Sequence, residues 1–235
     1  MSVKSLSGRE IKKRIYDLLK SSDLDSALEQ ISLLRKRQVI NPLFSFLYNK
    51  DQNVKWGAVK AMGRVVAELA NEDMESARVV MRRLMWNLND ESGGIGWGSP
   101  EAMGEILARH GGLANEYAPI LISYAREDGN YLEHELLQRG LIWAIGRLAQ
   151  GNADIVQNAV QYLLPYLEST DATVRGLTAR VMGLLAVGEA VSKLRGLQND
   201  ESQIQMYTDQ GLVNQRVMDL AEEALDIIIG KTKEL

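Results

Sequence analysis

The sequence contains no cysteine, so disulfide bonds, zinc–thiolate sites and cysteine nucleophiles are all excluded. It has only 4 prolines and 2 phenylalanines among 235 residues, a composition that favours helix over sheet. No segment approaches the ~18–20 consecutive apolar residues of a membrane-spanning helix. Residues 1–14 carry charges without the apolar centre of a secretory signal, and we therefore expect a cytoplasmic protein.

The remaining composition is that of an ordinary globular protein, with 46% hydrophobic and 25% charged residues. The net charge of -4 argues against a general nucleic-acid binder, because such proteins neutralise many phosphates. Basic residues are nevertheless concentrated in residues 1–50, which contain ten Lys or Arg and five Asp or Glu. We interpret this segment as a solvated helix face, and a second binding face is the alternative.

A short motif recurs along the chain at intervals of about 40 residues, a spacing typical of repeats built from two helices. Its glycines are separated by 41, 42 and 37 residues and lie at Gly63, Gly104, Gly146 and Gly183. A hydrophobic residue stands nine positions before each glycine, and others follow at helical spacing. The pattern therefore predicts four equivalent helices, each the second of its pair.

The start of the second helix carries a more specific signature in two of these units. Residues 51–55 and 171–175 read Asp-Gln-Asn-Val-Lys and Asp-Ala-Thr-Val-Arg. This resembles the Asp-x-x-Val-Arg start of the second helix in HEAT/armadillo-type repeats, with aspartate as the N-cap. Residues 188–201 resemble the variety of HEAT repeat first named from phycobilisome lyases. Residues 89–104 resemble a peptide of bacterial HEAT-repeat proteins.

The resemblance implies an all-α fold, a short α-α superhelix of about five helix pairs with an N-terminal helical cap. We expect a capping pair over residues 1–37 and a repeat solenoid over residues 38–235, continuous in a single domain. In the cap, Ser7 and Glu10 form a capping-box pattern, and a second helix is predicted over Asp23–Arg35. The other predicted helices that precede or follow the second helices are Pro42–Tyr48, Ala77–Leu88, Leu113–Tyr124, Ile155–Leu167, Glu189–Leu197 and, after a longer loop, Val213–Ile229.

Repeat proteins bind partners on the surface where equivalent residues of successive repeats align. A helical wheel leaves three positions of each second helix facing away from the core. They are Trp56, Lys60 and Arg64; Trp97, Glu101 and Glu105; Arg139, Trp143 and Arg147; and Gly176, Arg180 and Leu184. Because Trp and Arg are frequent at binding hot spots, we hypothesise that this surface docks a protein partner without enzymatic activity. The alternative is that the tryptophans fill gaps between adjacent second helices.

Charge pairing is also expected on this surface. Arg139 and Arg147 could pair with Glu101 and Glu105 of the neighbouring unit, which would give a ridge of mixed charge.

Four glycines within residues 93–98 precede the second helix of the second unit. Ser99 is predicted to be its N-cap and Pro100 its first residue. Backbone N–H groups of this loop could bind an anion, at Gly94, Gly96, Gly98 and Ser99. That leaves a small-ligand or anion sensor as an alternative function. The other interpretation of these glycines is structural: they form a kink that lets another part of the chain or a ligand approach Trp97 closely.

Patterns for catalysis or metal binding are weak. His110 is expected at a helix C-terminus and His134 at a solvated helix start. HEAT-repeat hydroxylases with paired irons repeat His-Glu in several units, whereas this chain has one such pair, so no metal or cofactor is predicted. Bacterial alkylpurine DNA glycosylases built from HEAT-like repeats, which use concave Trp, Asp and Arg residues, are the enzymatic alternative. None of the twelve outward positions is Asp.

Overall fold

The computed structural model describes residues 7–89 and 96–232. This part of the chain is mainly helical, and the predicted all-α solenoid class is confirmed, with one small β-hairpin in addition. The chain divides into two compact units, residues 1–113 and 114–235. The boundary expected between residues 37 and 38 stays a prediction.

The first unit consists of helices joined by short turns. They are α1 (Gly8–Leu19), α2 (Leu24–Ser32), α3 (Lys36–Phe46), α4 (Gln52–Glu72), α5 (Met74–Asn89) and α6 (Ser99–Arg109), after which α7 (Gly111–Ser123) begins. The predicted capping box is confirmed, because the Glu10 N–H donates to Ser7 Oγ and the Ser7 N–H to Glu10 Oε2. α3 begins six residues before the predicted Pro42, since Val39 and Ile40 already bury their side chains in its first turns.

α4 is the central helix of the first unit and packs against α2, α3, α5 and α6. Its predicted N-cap is confirmed: Asp51 Oδ1 accepts the N–H of Asn53 at 3.0 Å. At Gly63, a Cβ atom would collide with Cγ of Glu105 on α6. The recurring glycine thus lies where one second helix crosses the next.

The second unit alternates longer helices with short segments. They are α8 (Glu135–Gly151), α9 (Ala153–Gln157), α10 (Val160–Leu163), α11 (Ala172–Leu184), α12 (Val191–Gly196) and α13 (Val217–Thr232). The single helix predicted over Ile155–Leu167 is wrong, because it is divided into α9, α10 and the 3-10 helix Leu164–Glu168. Pro165, which lacks a backbone N–H, stands in that last piece.

The recurring glycines have the same role in the second unit as Gly63 has in the first. A Cβ atom at Gly146 of α8 would lie 3.1 Å from Cγ2 of Val181 on α11. At Gly183 of α11 it would lie 2.8 Å from Cα of Ala224 on α13. At Gly63, Gly146 and Gly183, three of the positions that define the sequence period, the helix therefore approaches a neighbouring helix closely.

A β-hairpin precedes the last helix. β1 (Gln203–Thr208) pairs antiparallel with β2 (Gly211–Arg216), with Gln203 opposite Arg216. The prediction that the last helix begins at Val213 is wrong, because residues 213–216 belong to β2 and α13 begins at Val217. Buried and exposed side chains alternate along the first part of β1 with the two-residue period of a strand.

Candidate functional site

Much of the predicted second-helix surface is buried in the first unit. Trp56, Lys60, Glu101 and Glu105 are buried, so the expectation that they face away from the core is wrong. The reason is that α6 lies directly against α4 and covers this face. Arg64 remains half-buried and its Nε donates to Glu68 Oε1 at 3.2 Å.

Charged side chains between α4 and α6 form an ionic seam of five residues, of which Lys60, Glu101 and Glu105 are buried. Lys55 Nζ lies 2.8 Å from Glu101 Oε1, and Lys60 Nζ lies 3.5 Å from Glu105 Oε1. Arg109 Nη2 approaches the same Glu105 oxygen at 2.7 Å. Buried carboxylates need such partners, because an uncompensated charge in the interior is strongly destabilising. The seam therefore stabilises the crossing of the two helices.

Arg139 does not have the carboxylate partner that the sequence suggested. The expected pairing with Glu101 and Glu105 is wrong: Arg139 Nη2 lies 2.6 Å from Asp171 Oδ2. Asp171 is also the predicted N-cap of α11 and accepts the N–H of Val174 at 3.0 Å, which confirms that role. Burial acts to raise the pKa of Asp171, but these hydrogen bonds outweigh it and lower the pKa below its ordinary value.

Arg147 and Arg180 are the other two cations predicted for this surface, and both are half-buried. Arg147 Nη1 donates to Gln150 Oε1 at 3.3 Å. Burial lowers the pKa of Arg180, while the carboxylates of Asp209 and Glu223 act in the opposite direction. A binding role for these arginines stays a prediction.

Trp143 is buried by the β-hairpin, which packs over this part of the second unit. Its Nε1–H donates to the backbone oxygen of Tyr207 at 2.8 Å. The wheel assigned Trp143 to an open surface because the hairpin was not recognised in the sequence. The indole thus fixes the hairpin on α8.

Replacing Trp143 with phenylalanine should lower the free energy of unfolding by about 1–2 kcal/mol, because it removes both the N–H donor and part of a buried ring. Urea unfolding followed by circular dichroism measures the change. Trp86→Phe is the matched control, because Trp86 is 71% exposed and its replacement should shift stability by no more than about 0.5 kcal/mol. Equal unfolding midpoints for the two variants would contradict the assigned contact.

Trp97 is the tryptophan of the predicted surface that stays open, with 41% of its surface exposed. Gly98 has φ +78°, which favours glycine, and it replaces the predicted Ser99 as N-cap of α6. A Cβ atom on Gly98 would collide with the backbone oxygen of Leu47, and one on Gly96 would lie 2.6 Å from that of Asn87. The backbone on both sides of Trp97 is therefore fixed against α5 and the end of α3.

The possible anion loop gains no support from its described residues. Gly94 lies outside the part of the chain that the structure describes. Gly96, Gly98 and Ser99 are buried, and the Ser99 N–H already donates to the oxygen of Gly96 at 2.9 Å. One of the N–H groups expected to meet an anion is thus occupied within the chain, and an anion site at this loop stays a prediction.

The two histidines serve as helix caps. His134 is exposed at the start of α8, as predicted, and its Nδ1 accepts the Leu136 N–H at 3.2 Å. His110 lies at the C-terminal end of α6, as expected, and its Nδ1 accepts the Leu113 N–H at 3.1 Å. Across residues 7–89 and 96–232, no cluster of His, Asp and Glu has the arrangement of a metal site.

A cavity of about 660 Å³ lies in the second unit, within the volume range of ligand sites. Its lining comes from residues 125–138 and 161–170. Ala125 and Tyr166 are buried in this lining, and the Tyr166 hydroxyl donates to the Ala125 oxygen at 3.2 Å. Burial raises the pKa of Tyr166, so this hydroxyl remains a neutral donor.

Known proteins that are similar to this chain identify its fold. Residues 135–185 match the family described as HEAT-like repeat. An engineered protein of known structure superposes with a TM-score of 0.52 at 17% identity, over 94% of this chain and 99% of that chain. A designed armadillo repeat protein, solved in complex with the peptide (KR)4, gives 0.51 at 19% identity, over 93% and 99%.

The chain has the HEAT/armadillo-type repeat fold. An uncharacterized protein from Archaeoglobus fulgidus is 26% identical over 191 residues, which cover 78% of this chain and 94% of the relative. At these identities the solved structures bear on the fold of the repeat protein alone. Among the residues described, this repeat protein has no helix that is both long and apolar enough to cross a membrane.

The cavity of this repeat protein was not predicted from the sequence. The predicted surface lies on the second helices, whereas the cavity is lined by the turn between α7 and α8 and by the broken segment around Pro165. The available signal was the density of acidic and tyrosine residues in 127–135, namely Glu127, Asp128, Tyr131, Glu133 and Glu135.

Proposed function

We propose that this repeat protein is a non-enzymatic, cytoplasmic scaffold that docks a protein partner on the surface around Trp97. Repeat architectures give extended surfaces on which successive helices present equivalent residues. The designed armadillo protein solved with (KR)4 holds a peptide, and the same kind of use is proposed for this chain. Fold alone does not specify function, so the proposal depends on particular side chains.

The main support for the proposal is that Trp97 is exposed on a backbone that is held in place. Its indole is 41% exposed, while Gly96 and Gly98 let the backbone beneath it lie against Asn87 and Leu47. A large aromatic side chain on a fixed backbone loses little conformational entropy on binding, which is the property of a hot-spot residue. Arg64 belongs to the proposed binding set of the first unit, and Arg139, Arg147 and Arg180 form a proposed set of their own in the second unit.

The buried members of the predicted surface have a different part in this proposal. Trp56, Lys60, Glu101 and Glu105 hold α4 and α6 together and so position the start of α6, next to Trp97. Trp143 does the same for the hairpin of the second unit. Their replacement should affect partner binding through stability, whereas replacement of Trp97 should affect binding alone.

Replacing Trp97 with alanine should reduce capture of the partner at least tenfold. Truncation of a hot-spot tryptophan typically costs about 2 kcal/mol of binding free energy, and about 1.4 kcal/mol already corresponds to a factor of ten in affinity. The measurement is affinity capture by tagged protein from cells of the source organism, quantified by mass spectrometry. Trp86→Ala is the matched control, because Trp86 is exposed on α5 outside the proposed surface. Circular dichroism should show the same helical content in all three proteins.

Two results would oppose this proposal. Equal capture by wild type, Trp97→Ala and Trp86→Ala would show that Trp97 does not contact the partner. Loss of capture in both variants would assign the effect to general surface hydrophobicity. Loss in Trp97→Ala alone, with unchanged stability, supports the scaffold function.

A further inference from the structure

We propose that α13 docks α1 of a second copy of this chain, so that copies associate head to tail. The inference does not depend on the scaffold function at Trp97, because it concerns other helices and a different partner. It rests on a helix-packing face of α13 that is left uncovered, on exposed isoleucines at that face, and on the opposite charges of α1 and α13.

α13 repeats the residue pattern of the second helices. It carries five apolar residues at the same spacing as five core residues of α4, and both sets are buried. The residues of α4 are Val54, Ala58, Ala61, Met62 and Val65, and those of α13 are Val217, Ala221, Ala224, Leu225 and Ile228. The two helices can therefore be compared position by position.

One face of α13 is open where the same face of α4 is covered. In α4 this face is buried, and it consists of Val59, Lys60, Gly63, Val66 and Ala67. Its centre, Gly63, lies against Glu105 of α6. The equivalent positions of α13 are all exposed, and they are Glu222, Glu223, Asp226, Ile229 and Gly230. Within residues 7–89 and 96–232, α13 thus has a helix-packing face without a covering helix.

The open face of α13 combines apolar and acidic side chains. Ile227 and Ile229 are 44% and 38% exposed. The three carboxylates among them form no salt bridge within the part of the chain that the structure describes, and they are Glu222, Glu223 and Asp226. An apolar centre with a charged rim is the anatomy of a protein interface. The rim requires a partner that brings cations.

α1 presents the complementary surface. Arg9, Lys13 and Arg14 are exposed, and across the described residues they form no salt bridge. A depression of about 470 Å³ on this helix is lined by Glu10, Lys13, Arg14, Asp17, Leu18 and Ser21. An isoleucine of α13 can pack on Leu18 there while its neighbouring carboxylates meet Lys13 and Arg14.

Charge also determines which faces pair. Contacts of α13 with α13, or of α1 with α1, would bring like charges together, whereas α1 against α13 brings opposite charges together. The contact therefore joins two different surfaces, and a contact of this kind can repeat from copy to copy. We expect it to be small relative to the ~800 Å² per partner of a standard interface, so association should be weak and concentration-dependent.

Sedimentation analysis of the purified full chain tests the proposal. At low ionic strength the average mass should rise with protein concentration, and added salt should return it towards that of one copy. The charge-reversed variants Glu223→Lys/Asp226→Lys and Lys13→Glu/Arg14→Glu should each stay monomeric where wild type associates. Their equimolar mixture should associate again, because each contact between the two variants joins opposite charges.

The matched control is Glu127→Lys/Glu133→Lys, which makes the same charge change at exposed positions of the second unit and should associate like wild type. Circular dichroism should show equal helical content in all variants. A wild-type chain that stays monomeric at every concentration, equal loss of association in the control, or a mixture that does not associate would overturn the inference.

Discussion

Replacing Glu105 with alanine is expected to lower the free energy of unfolding by about 3 kcal/mol. Glu105 has no exposed surface, and its carboxylate is the partner of both Lys60 and Arg109. Lys60 is itself buried, so the variant leaves an ammonium group in the interior without this counter-charge. Chemical unfolding followed by the helical circular dichroism signal measures the loss.

A double-mutant cycle separates the charge effect from lost packing. Lys60→Met/Glu105→Ala should be more stable than Glu105→Ala alone, because the Lys60 change removes the buried ammonium group that has lost the Glu105 carboxylate. Glu75→Ala is the control for an exposed ion pair: Glu75 Oε1 lies 2.6 Å from Arg82 Nη2, and its loss should cost at most about 1 kcal/mol. If Glu105→Ala costs no more than Glu75→Ala, the buried seam is not a stabilising element.

Replacing Gly183 with alanine is expected to destabilise the second unit by about 2 kcal/mol. The new methyl group would lie 2.8 Å from Cα and 3.0 Å from Cβ of Ala224, so α11 and α13 would have to separate. The backbone of α13 cannot rotate away as a flexible side chain could. This loss should exceed the gain of about 1 kcal/mol that alanine brings to a helix interior.

Gly230→Ala is the matched control for Gly183→Ala. Gly230 also lies in a helix, α13, and a Cβ atom there would meet nothing within 4 Å. Its replacement should leave stability unchanged or raise it by up to about 1 kcal/mol. The same direction of change in both variants would refute the close approach at the repeat glycine.

The repeat could be predicted because its determinants are local and recurrent. The constant interval between the glycines reflects a recurring helix contact: Gly63 packs against α6, and Gly183 packs against α13. The N-caps at Ser7, Asp51 and Asp171 were also recognisable, since a cap depends on a side chain and an N–H group two or three residues later. These features need no knowledge of distant contacts.

The faces of the second helices could not be predicted in the same way. A helical wheel separates one apolar stripe from the rest of a helix, but α4 is buried on more than one side because α3, α5 and α6 all surround it. Lys60 and Glu105 look like surface residues in sequence, and they are buried only because they face each other across two helices. Which charged residues form a buried ion pair therefore depends on tertiary contacts, and a helical wheel of one helix does not contain them.

The hairpin and the cavity were missed for a related reason. The alternation in β1 is short, and the stability of a two-stranded hairpin depends on packing against helices, here through Trp143 and Tyr207. The cavity is formed by a turn and an interrupted helix that are distant in sequence. Local sequence patterns predict helices and strands, whereas the position of a cavity depends on which irregular segments pack together.

Site-specific photo-crosslinking tests the proposed docking surface most directly. A benzophenone-bearing residue placed at Tyr48, which is 60% exposed and follows the Leu47 against which Gly98 packs, and separately at Trp86, is irradiated in cells of the source organism. The products are identified by mass spectrometry. Position 48 should give one abundant crosslinked protein that position 86 does not give and that is lost when Trp97 is also replaced with alanine. The same products from both positions, none from position 48, or a crosslink that survives the loss of Trp97 would contradict a scaffold that docks its partner at Trp97.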